Sequence, residues 1–484
     1  MKGFIIAGTK SGIGKTTITL GLMKNFQNVS PFKIGPDYID GRFHEYATKN
    51  PSYNLDYFLM KEEGIKYSFL KHRKEISIIE GVMGLYDGLG DILANGSTAH
   101  ISKILNLPII LIVDGEKRGT SISAEVLGYK NFDPEINICG VIINGATSKK
   151  AYDILASSIE KYTEITCLGY LPKIQEIELG ERHLGLIQAS EDKTLEEKLE
   201  ILANKVKETI NLDKILELTE IQTKENEIVD KLISGTIVNT NRVINLKSKI
   251  ISLDKKDKYQ GVTIGIAKDS AFSFYYNDNI EFLKGLGVEI RYFSPINDKT
   301  IPTDADVLYF GGGYPENYSE ELSKNQSMIE SIRDFYNKNG VIYGECGGYI
   351  YLSKSLTTLD GKIHNFVGVT DRSFAMKNRL NIKRFGYIDV NFKEFSYPAH
   401  EFHYSEVISG REGVFKISKK DGRSWDCGYE DKNLLCGYPH IHFFTSKDLI
   451  FDLLDRALAY REKKNRFSFM DFFNFGNFRK GKGE

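Results

Sequence analysis

Phe4 to Thr17 read F-I-I-A-G-T-K-S-G-I-G-K-T-T. The apolar run at the start predicts a buried strand, and the glycines after it predict a turn that leads into a helix. This order is typical of a phosphate-binding loop, because unhindered backbone N–H groups at a helix N-terminus attract phosphate oxygens. The alternative is a structural turn between strand and helix, with a lysine that faces solvent and binds no ligand. The Gly-Lys-Thr-Thr ending favours nucleotide binding over that alternative.

The loop supplies most of the candidate ATP-binding residues. Lys15 offers a positive charge to the outer phosphates, and Thr16 can place its hydroxyl on Mg²⁺. The full candidate set is Thr9, Gly12, Gly14, Lys15, Thr16, Thr17 and Asn144. The spacing departs from the common loop, which has four residues between its first glycine and Gly-Lys. Here five residues separate Gly8 from Gly14, so Thr9 takes the position of that first glycine.

The composition is that of an ordinary globular protein. The chain has 484 residues, 41% hydrophobic and 27% charged, which is enough for two or three domains. A formal net charge of −1 argues against nucleic acid or an anionic membrane as the main partner. Five cysteines without C-x-x-C spacing favour a reducing, cytoplasmic location over disulfides or zinc. No apolar stretch approaches the length needed to span a membrane. A homodimer is compatible with the sequence.

Short apolar runs alternate with amphipathic stretches in the first half, which predicts βαβ units around a mostly parallel sheet. Strands are expected at Gly3–Ala7, Ile76–Glu80, Pro108–Asp114 and Ile138–Asn144. Ligands of such sheets bind beyond the carboxyl ends of the strands. We therefore expect Lys15, Glu80, Asp114 and Asn144 to lie around one crevice.

A charged stretch divides the chain near residue 258, and a new α/β pattern begins at Val262. Within the charged stretch, the apolar spacing predicts a helix over 195–210. The domains expected are 1–215 and 259–460, joined by a linker at 216–258 and followed by a phenylalanine-rich tail at 461–484. The tail is compatible with a docking strip or with a poorly ordered terminus.

Acidic residues follow the phosphate-binding loop. Glu80 ends an apolar strand, the position of the Mg²⁺ carboxylate in nucleotide-binding proteins, so Glu80 and Thr16 are the predicted metal ligands. Asp37 and Asp40 lie in a Gly/Pro-rich loop, where they could ligate Mg²⁺ or bind a polar group of the substrate, but ordinary turn chemistry explains such a loop better. Asp114 is interpreted as a helix cap. Asn144 fits an adenine contact and a turn before a glycine equally well.

The second half carries a different set of motifs. A buried strand runs into Gly311-Gly312-Gly313, whose N–H groups could form an oxyanion hole. Cys346 lies between glycines at a predicted strand-to-helix turn, which favours a nucleophile over a buried structural cysteine. His440 and His442, in G-Y-P-H-I-H-F, are the candidate bases, with His440 preferred. A zinc site on the histidine pair is the disfavoured alternative.

These motifs together resemble a known family. The loop is similar to that of dethiobiotin synthetase-like ATPases, and the segments 33–40, 80–88 and 181–186 resemble the cobyrinate a,c-diamide synthase family. G-G-x-P-E, G-x-C-x-G and H-x-H resemble the class I glutamine amidotransferase pattern, with His442 in place of the usual glutamate. The resemblance implies that Asp37, Asp40 and Asp87 handle substrate carboxylates. It also implies a P-loop ATPase domain followed by a flavodoxin-like amidotransferase domain, both α/β.

The resemblance implies an ATP- and Mg²⁺-dependent ligase that uses glutamine as nitrogen donor. The expected substrate is a corrin-type polycarboxylate, cobyrinate, amidated at its a and c side chains through acyl phosphates in cobalamin biosynthesis. Nickel-sirohydrochlorin is the alternative tetrapyrrole, because the motifs of that diamide synthase are nearly the same. A partitioning-type ATPase switch with an inert second domain is the alternative from a different class.

Overall fold

The computed structural model describes residues 1–174, 181–182, 185–186, 194–221, 257–411 and 413–478, with residues 181–182, 185–186 and 466–478 as backbone only. The chain divides into two compact units, Met1–Lys247 with Tyr276–Asp278, and Ser248–Tyr275 with Asn279–Glu484. Both are α/β, as the sequence predicts. The predicted domain and linker boundaries themselves stay predictions, and most of the linker lies outside the described residues.

The first unit is built on a parallel sheet flanked by helices. Its strands are β1 (Lys2–Gly8), β2 (Val29–Ile34), β3 (Tyr53–Leu55), β4 (Ile76–Glu80), β5 (Ile109–Asp114), β6 (Ile138–Asn144), β7 (Thr166–Leu171), β8 (Glu181–Arg182) and β9 (Gly185–Leu186). Its helices are α1 (Lys15–Asn25), α2 (Ile39–Thr48), α3 (Tyr57–His72), α4 (Thr98–Leu105), α5 (Ser121–Phe132), α6 (Lys149–Thr163), α7 (Leu195–Thr209) and α8 (Leu212–Leu218).

The sheet order is β3-β2-β4-β1-β5-β6-β7, and neighbouring strands pair in parallel. The four predicted strands are β1, β4, β5 and β6, each placed to within one residue at both ends. β1 is buried from Gly3 onward because helices cover both faces of a parallel sheet. The carboxyl ends of β1, β4, β5 and β6 consequently meet at one edge, which is where the phosphate-binding loop emerges.

The second unit combines a mostly parallel sheet with smaller sheets. Its strands are β10 (Thr263–Ala267), β11 (Glu289–Phe293), β12 (Val307–Phe310), β13 (Val341–Glu345), β14 (Ser355–Thr357), β15 (Ile363–Asn365), β16 (Ser373–Met376), β17 (Gly386–Phe392), β18 (Phe395–Glu401), β19 (Ser405–Ser409), β20 (Phe415–Ser418), β21 (Ser424–Cys427), β22 (Tyr429–Asp431), β23 (Leu434–Gly437) and β24 (His440–Ile441). Its helices are α9 (Asn277–Gly285), α10 (Ser319–Lys324), α11 (Gln326–Asn337), α12 (Gly347–Tyr351) and α13 (Lys447–Phe478).

The main sheet has the order β11-β10-β12-β13-β23-β22 and is parallel except for the β22–β23 edge pair. A second sheet, β21-β20-β17-β18-β24, is antiparallel and was not predicted from the sequence. It matters for the site because the β18–β24 pairing places His400 opposite His440. α13 continues through residue 460, where the sequence predicted the domain to end.

Candidate functional site

The phosphate-binding loop in the first unit has the conformation that its glycines allow. Gly14 caps α1 in the left-handed region, with φ of 90°, and no side chain caps the helix. A Cβ atom on Gly14 would lie 2.4 Å from Nδ2 of Asn144, which donates to the Ile13 carbonyl at 2.9 Å. Asn144 thus holds the loop in place. The first N–H groups of α1 have no intrahelical acceptor and suit an anion.

Lys15 lies inward along this loop. Its Nζ donates to the Met83 carbonyl at 2.6 Å and to the Lys10 carbonyl at 3.3 Å. Burial and the nearby positive charge of Lys33 lower the pKa of Lys15. The Thr9 carbonyl accepts a hydrogen bond from the Tyr129 hydroxyl at 2.7 Å. The backbone of the loop is therefore fixed from both sides.

Thr16 and Glu80 come together as the sequence predicts. The Thr16 hydroxyl donates to Oε1 of Glu80 at 2.7 Å, and Glu80, the last residue of β4, is only 1% exposed. The other carboxylate oxygen, Oε2, lies 2.6 Å from Nε2 of the fully buried His44. Sequence analysis missed His44, which lies on α2 with no motif around it.

Lys33 is the second residue that sequence analysis missed as a site residue. Its buried Nζ lies 3.4 Å from Oε1 of Glu80 and 3.2 Å from Oδ2 of Asp40. Burial by itself would lower the pKa of Lys33, but the charges of Glu80 and Asp40 have the larger combined effect and raise the pKa of Lys33. Burial likewise opposes ionisation of Glu80, yet Lys33 and His44 hold its pKa well below the usual range. Burial and the charge of Glu80 raise the pKa of Asp40.

Three other predicted acids take part in local turns. Asp37 Oδ1 accepts from the Ile39 N–H at 2.7 Å, at the start of α2, and Asp87 Oδ2 accepts from the Gly84 N–H at 2.8 Å. The prediction of Asp114 as a helix cap is wrong. Asp114 accepts from the Glu116 N–H and pairs with Lys10 at 3.3 Å, whereas α5 begins only at Ser121.

The donor set suits Mg²⁺ bound with nucleotide phosphates. A hydroxyl and a carboxylate oxygen 2.7 Å apart, at Thr16 and Glu80, are hard oxygen ligands. Within the part of the chain that the structure describes, no three His, Cys, Asp or Glu side chains cluster as a metal cage. Mg²⁺ usually takes one or two protein oxygens and fills its octahedron with water and phosphate, so the two residues fit it.

In the second unit, Cys346 lies at a strained turn between β13 and α12. Its φ is 47° and its ψ is −100°, a conformation that non-glycine residues seldom adopt. The glycines beside it are required by packing, because a Cβ on Gly348 would lie 2.2 Å from the Phe310 carbonyl oxygen. A Cβ on Gly347 would lie 3.1 Å from the Gly313 nitrogen. The cysteine turn therefore abuts the glycine turn.

The three glycines do not contribute equally. The Gly311 N–H already donates to the Tyr275 hydroxyl at 2.8 Å, and its carbonyl accepts from Gly348 N–H at 3.0 Å. Gly313 has φ of 156° and its Cβ would lie 2.0 Å from the Ala271 oxygen. The oxyanion hypothesis consequently rests on Gly312 and Gly313, with Gly311 holding the two turns together.

His440 is buried against the same glycine turn. A Cβ on Gly312 would lie 2.4 Å from Cε1 of His440. The ring stacks on His400, with centroids 4.8 Å apart, and its Nδ1 lies 3.6 Å from Oε2 of Glu345. Burial, together with the charge of His440, lowers the pKa of His400 far below its ordinary value. His440 thus packs against Gly312, and the contact of Gly347 with Gly313 places the Cys346 turn against the same glycines.

His442 takes a different place. Its Nδ1 lies 3.4 Å from the Phe444 nitrogen, as acceptor, and its carbonyl accepts from the Ser446 hydroxyl at 2.9 Å. Both contacts belong to the turn that precedes α13. These contacts favour His440 over His442 as the histidine that packs against the glycine turn next to Cys346.

Acidic groups surround the thiol. Burial, followed by the charges of Glu316 and Glu401, raises the pKa of Cys346. Glu401 Oε1 lies 2.6 Å from Nε2 of His403, whose ring stacks on Tyr438. Glu345 and Glu401 were missed as site residues, although Glu345 is the residue before the cysteine in the G-x-C-x-G motif. A thiol in these surroundings needs a proton acceptor close by in order to act as a nucleophile.

Comparison with known proteins matches both units. Residues 4–187 match the family described as the CobQ/CobB/MinD/ParA nucleotide binding domain. Residues 263–448 match the CobB/CobQ-like glutamine amidotransferase domain. No helix of the described chain has the length and apolar character needed to cross a membrane.

Similar proteins extend over almost the whole chain. A cobyrinate a,c-diamide synthase of Fusobacterium nucleatum is 50% identical over 93% of this chain and 99% of its own length. Proteins of the same name from Caldanaerobacter subterraneus and Clostridium tetani are 39% and 40% identical, over 95% and 94% of this chain and 99% and 100% of their own lengths. With both domains matched in order and both sites present, the chain belongs to the cobyrinate a,c-diamide synthase family.

Proposed function

We propose that this protein amidates the a and c side-chain carboxylates of cobyrinate, using ATP, Mg²⁺ and glutamine-derived ammonia. The observation that carries the proposal is the pairing, in one chain 50% identical to a synthase of that name, of a phosphate-binding loop with a cysteine at a strained turn beside a buried histidine. Cobalamin biosynthesis in the cytoplasm is the corresponding setting. A homodimer stays a prediction.

The second unit would release ammonia from glutamine. The Cys346 sulfur attacks the carboxamide carbon, and His440 takes the thiol proton and passes it to the leaving nitrogen. N–H groups of Gly312 and Gly313 would stabilise the developing oxyanion. Water, deprotonated by His440, then cleaves the thioester, so that glutamine and water yield glutamate and ammonia.

The first unit would activate the carboxylate. A substrate carboxylate oxygen attacks the γ-phosphorus of ATP, ADP leaves, and ammonia then displaces phosphate from the acyl phosphate to give the amide. Lys15 and the N–H groups at the start of α1 bind the phosphates. Thr16 and Glu80 would hold Mg²⁺, which supplies charge neutralisation on the phosphates. Lys33 keeps Glu80 ionised. Asp37, Asp40 and Asp87 are the acidic residues proposed to take part in handling the substrate carboxylates.

Two variants and two nitrogen sources test this assignment. We expect Cys346→Ala to lose synthesis from glutamine and keep synthesis from ammonium, because only the glutaminase step needs the thiol. We expect Lys15→Ala to lose synthesis from both sources and to keep glutamine hydrolysis. Loss of ammonium-dependent synthesis in folded Cys346→Ala would contradict the division of labour between the units.

The substrate is tested by mass spectrometry of the products from cobyrinate and nickel-sirohydrochlorin, assayed side by side. Conversion of two carboxylic acids of cobyrinate to amides supports the proposal. Conversion of nickel-sirohydrochlorin alone would instead identify the nickel compound as the substrate. Phosphate release without any amide would instead indicate a nucleotide-dependent switch. The Cys346 turn argues against a switch, since a strained turn beside a buried histidine has no role there.

A further inference from the structure

We propose that Glu345 is the carboxylate that positions His440, in place of the glutamate that the class I amidotransferase pattern carries two residues after its histidine. This inference rests on the proposed glutaminase function. Glu345 would act through His440 rather than on glutamine, so it is a positioning residue. The third member of the catalytic set would then come from the strand that carries the nucleophile and not from the strand that carries the base.

The geometry of Glu345 suits this role. It is the last residue of β13, directly before Cys346, and it is 1% exposed. Its Oε1 accepts from the Tyr343 hydroxyl at 2.9 Å, while its Oε2 lies 3.6 Å from His440 Nδ1. The tyrosine thereby fixes the carboxylate so that the other oxygen faces the imidazole. Since both groups are buried, their attraction is weakly screened.

The backbone holds the two partners in register. Glu345 pairs with Gly437 between β13 and β23, and the Cys346 N–H donates to the Gly437 carbonyl at 2.8 Å. Gly437 leads through two residues to His440, whose strand β24 pairs with β18. Nucleophile, carboxylate and imidazole are consequently held where β13 and β23 of the main sheet adjoin β24 of the antiparallel sheet.

The neighbouring titratable groups have separate roles. His400, on β18, stacks on the His440 ring, and burial followed by the charge of His440 lowers the pKa of His400. Glu316 and Glu401 raise the pKa of the Cys346 thiol, and Glu401 is bonded to His403. His442 accepts from the Phe444 backbone. Glu345 is thus the carboxylate placed at Nδ1 of His440.

This placement has a chemical consequence. A carboxylate at Nδ1 selects the tautomer with a proton on that nitrogen and leaves Nε2 free to take the thiol proton. It also stabilises the imidazolium that forms when the thiol is deprotonated. Removing the charge should therefore lower the fraction of thiolate–imidazolium pairs and the rate of thioester formation, with little effect on glutamine binding.

The test compares Glu345→Gln with Tyr343→Phe. The glutamine side chain has the same size and still accepts from Tyr343, but its amide can donate to Nδ1 and select the wrong tautomer. We expect kcat for glutamine hydrolysis to fall on the order of 100-fold or more, as when a triad carboxylate is replaced by its amide. KM should change little, and the alkaline limb of the pH profile should move to lower pH. Tyr343→Phe keeps the charge of Glu345 and removes only its hydroxyl partner, so kcat should fall less and the alkaline limb should stay at its wild-type pH.

Two outcomes would overturn the inference. One is a wild-type kcat and pH profile in Glu345→Gln. The other is the same loss of kcat with the same shift of the alkaline limb in Tyr343→Phe, which would reduce Glu345 to an acceptor for the tyrosine. Thermal unfolding reports the folding of each variant. If Glu345→Gln does not fold, the pH profile of glutamine hydrolysis by Glu345→Asp is the test. This variant retains the charge, so it should keep the wild-type alkaline limb at a reduced kcat. Retained glutamine-dependent synthesis in Cys346→Ala would instead refute the glutaminase function itself.

Discussion

Gly312→Ala tests the packing of the proposed base against the glycine turn. The added Cβ would lie 2.4 Å from Cε1 and 3.3 Å from Nδ1 of His440, and 3.2 Å from Cβ of Phe274. Carbon atoms that are not bonded approach to about 3.5–4.0 Å. The imidazole must therefore retreat by roughly 1 Å, the difference between these separations. The Gly312 backbone is outside the left-handed region, so the methyl group acts through this contact.

The size of the effect follows from the displacement. A misplacement of about 1 Å in a catalytic group costs on the order of 100-fold in rate. We expect kcat/KM for glutamine hydrolysis to fall by about that factor. Overpacking of one methyl group costs about 1–3 kcal/mol of folding stability, which leaves a folded protein with ordinary reserves. Ammonium-dependent synthesis should keep its wild-type rate.

The assay measures glutamate release and amide formation from both nitrogen sources, with thermal unfolding as the check on folding. Gly128→Ala is a matched control, because its Cβ would meet no heavy atom within 4 Å on α5. It should leave both activities unchanged. A wild-type rate of glutamine hydrolysis in Gly312→Ala would refute the assignment of His440 as the base.

Two further predictions concern buried charge. Lys33→Met leaves two buried carboxylates without their cation, so the free energy of unfolding in urea should fall by about 3–5 kcal/mol at neutral pH and by less in acid, where the carboxylates are protonated. Lys10→Met, which removes an exposed ion pair, should lower the free energy of unfolding by less than about 1 kcal/mol. Equal losses in the two variants would contradict the argument. Burial raises the pKa of Glu316 to about 7, and its charge raises that of the Cys346 thiol. Glu316→Gln should therefore let iodoacetamide alkylate Cys346 at lower pH than in the wild type, with the difference vanishing where Glu316 is protonated; an unchanged alkylation profile would refute the coupling.

The residues that sequence analysis placed correctly are those at the ends of elements. Thr16 and Glu80 meet because a helix start and the end of a neighbouring parallel strand share one edge of the sheet. Strand and helix periodicity locate such ends, and glycine-rich turns show where a backbone must bend sharply. The family motifs then added the order of the two domains.

The residues that sequence analysis missed have side chains that meet only because their strands pair in the sheets. Lys33 lies within β2 and reaches Glu80 only because β2 lies beside β4. His400 stands opposite His440 because an antiparallel sheet, unseen in the periodicity, joins β18 to β24. A single sequence carries no direct signal for which strands are neighbours, and the polar partners of a buried acid depend on that arrangement.

The two units place an acid in the same way and would use it differently. Glu80 and Glu345 each end a buried parallel strand directly before a functional turn, and each is 1% exposed. Neither carboxylate is solvated, so each needs partners from the protein. Glu80 has Lys33, whose charge is permanent, and is therefore a fixed anion. Glu345 has His440, whose charge depends on one proton. In the second unit the attraction between Glu345 and His440 would therefore depend on the protonation of His440. It would be strongest after His440 has accepted the proton of the Cys346 thiol.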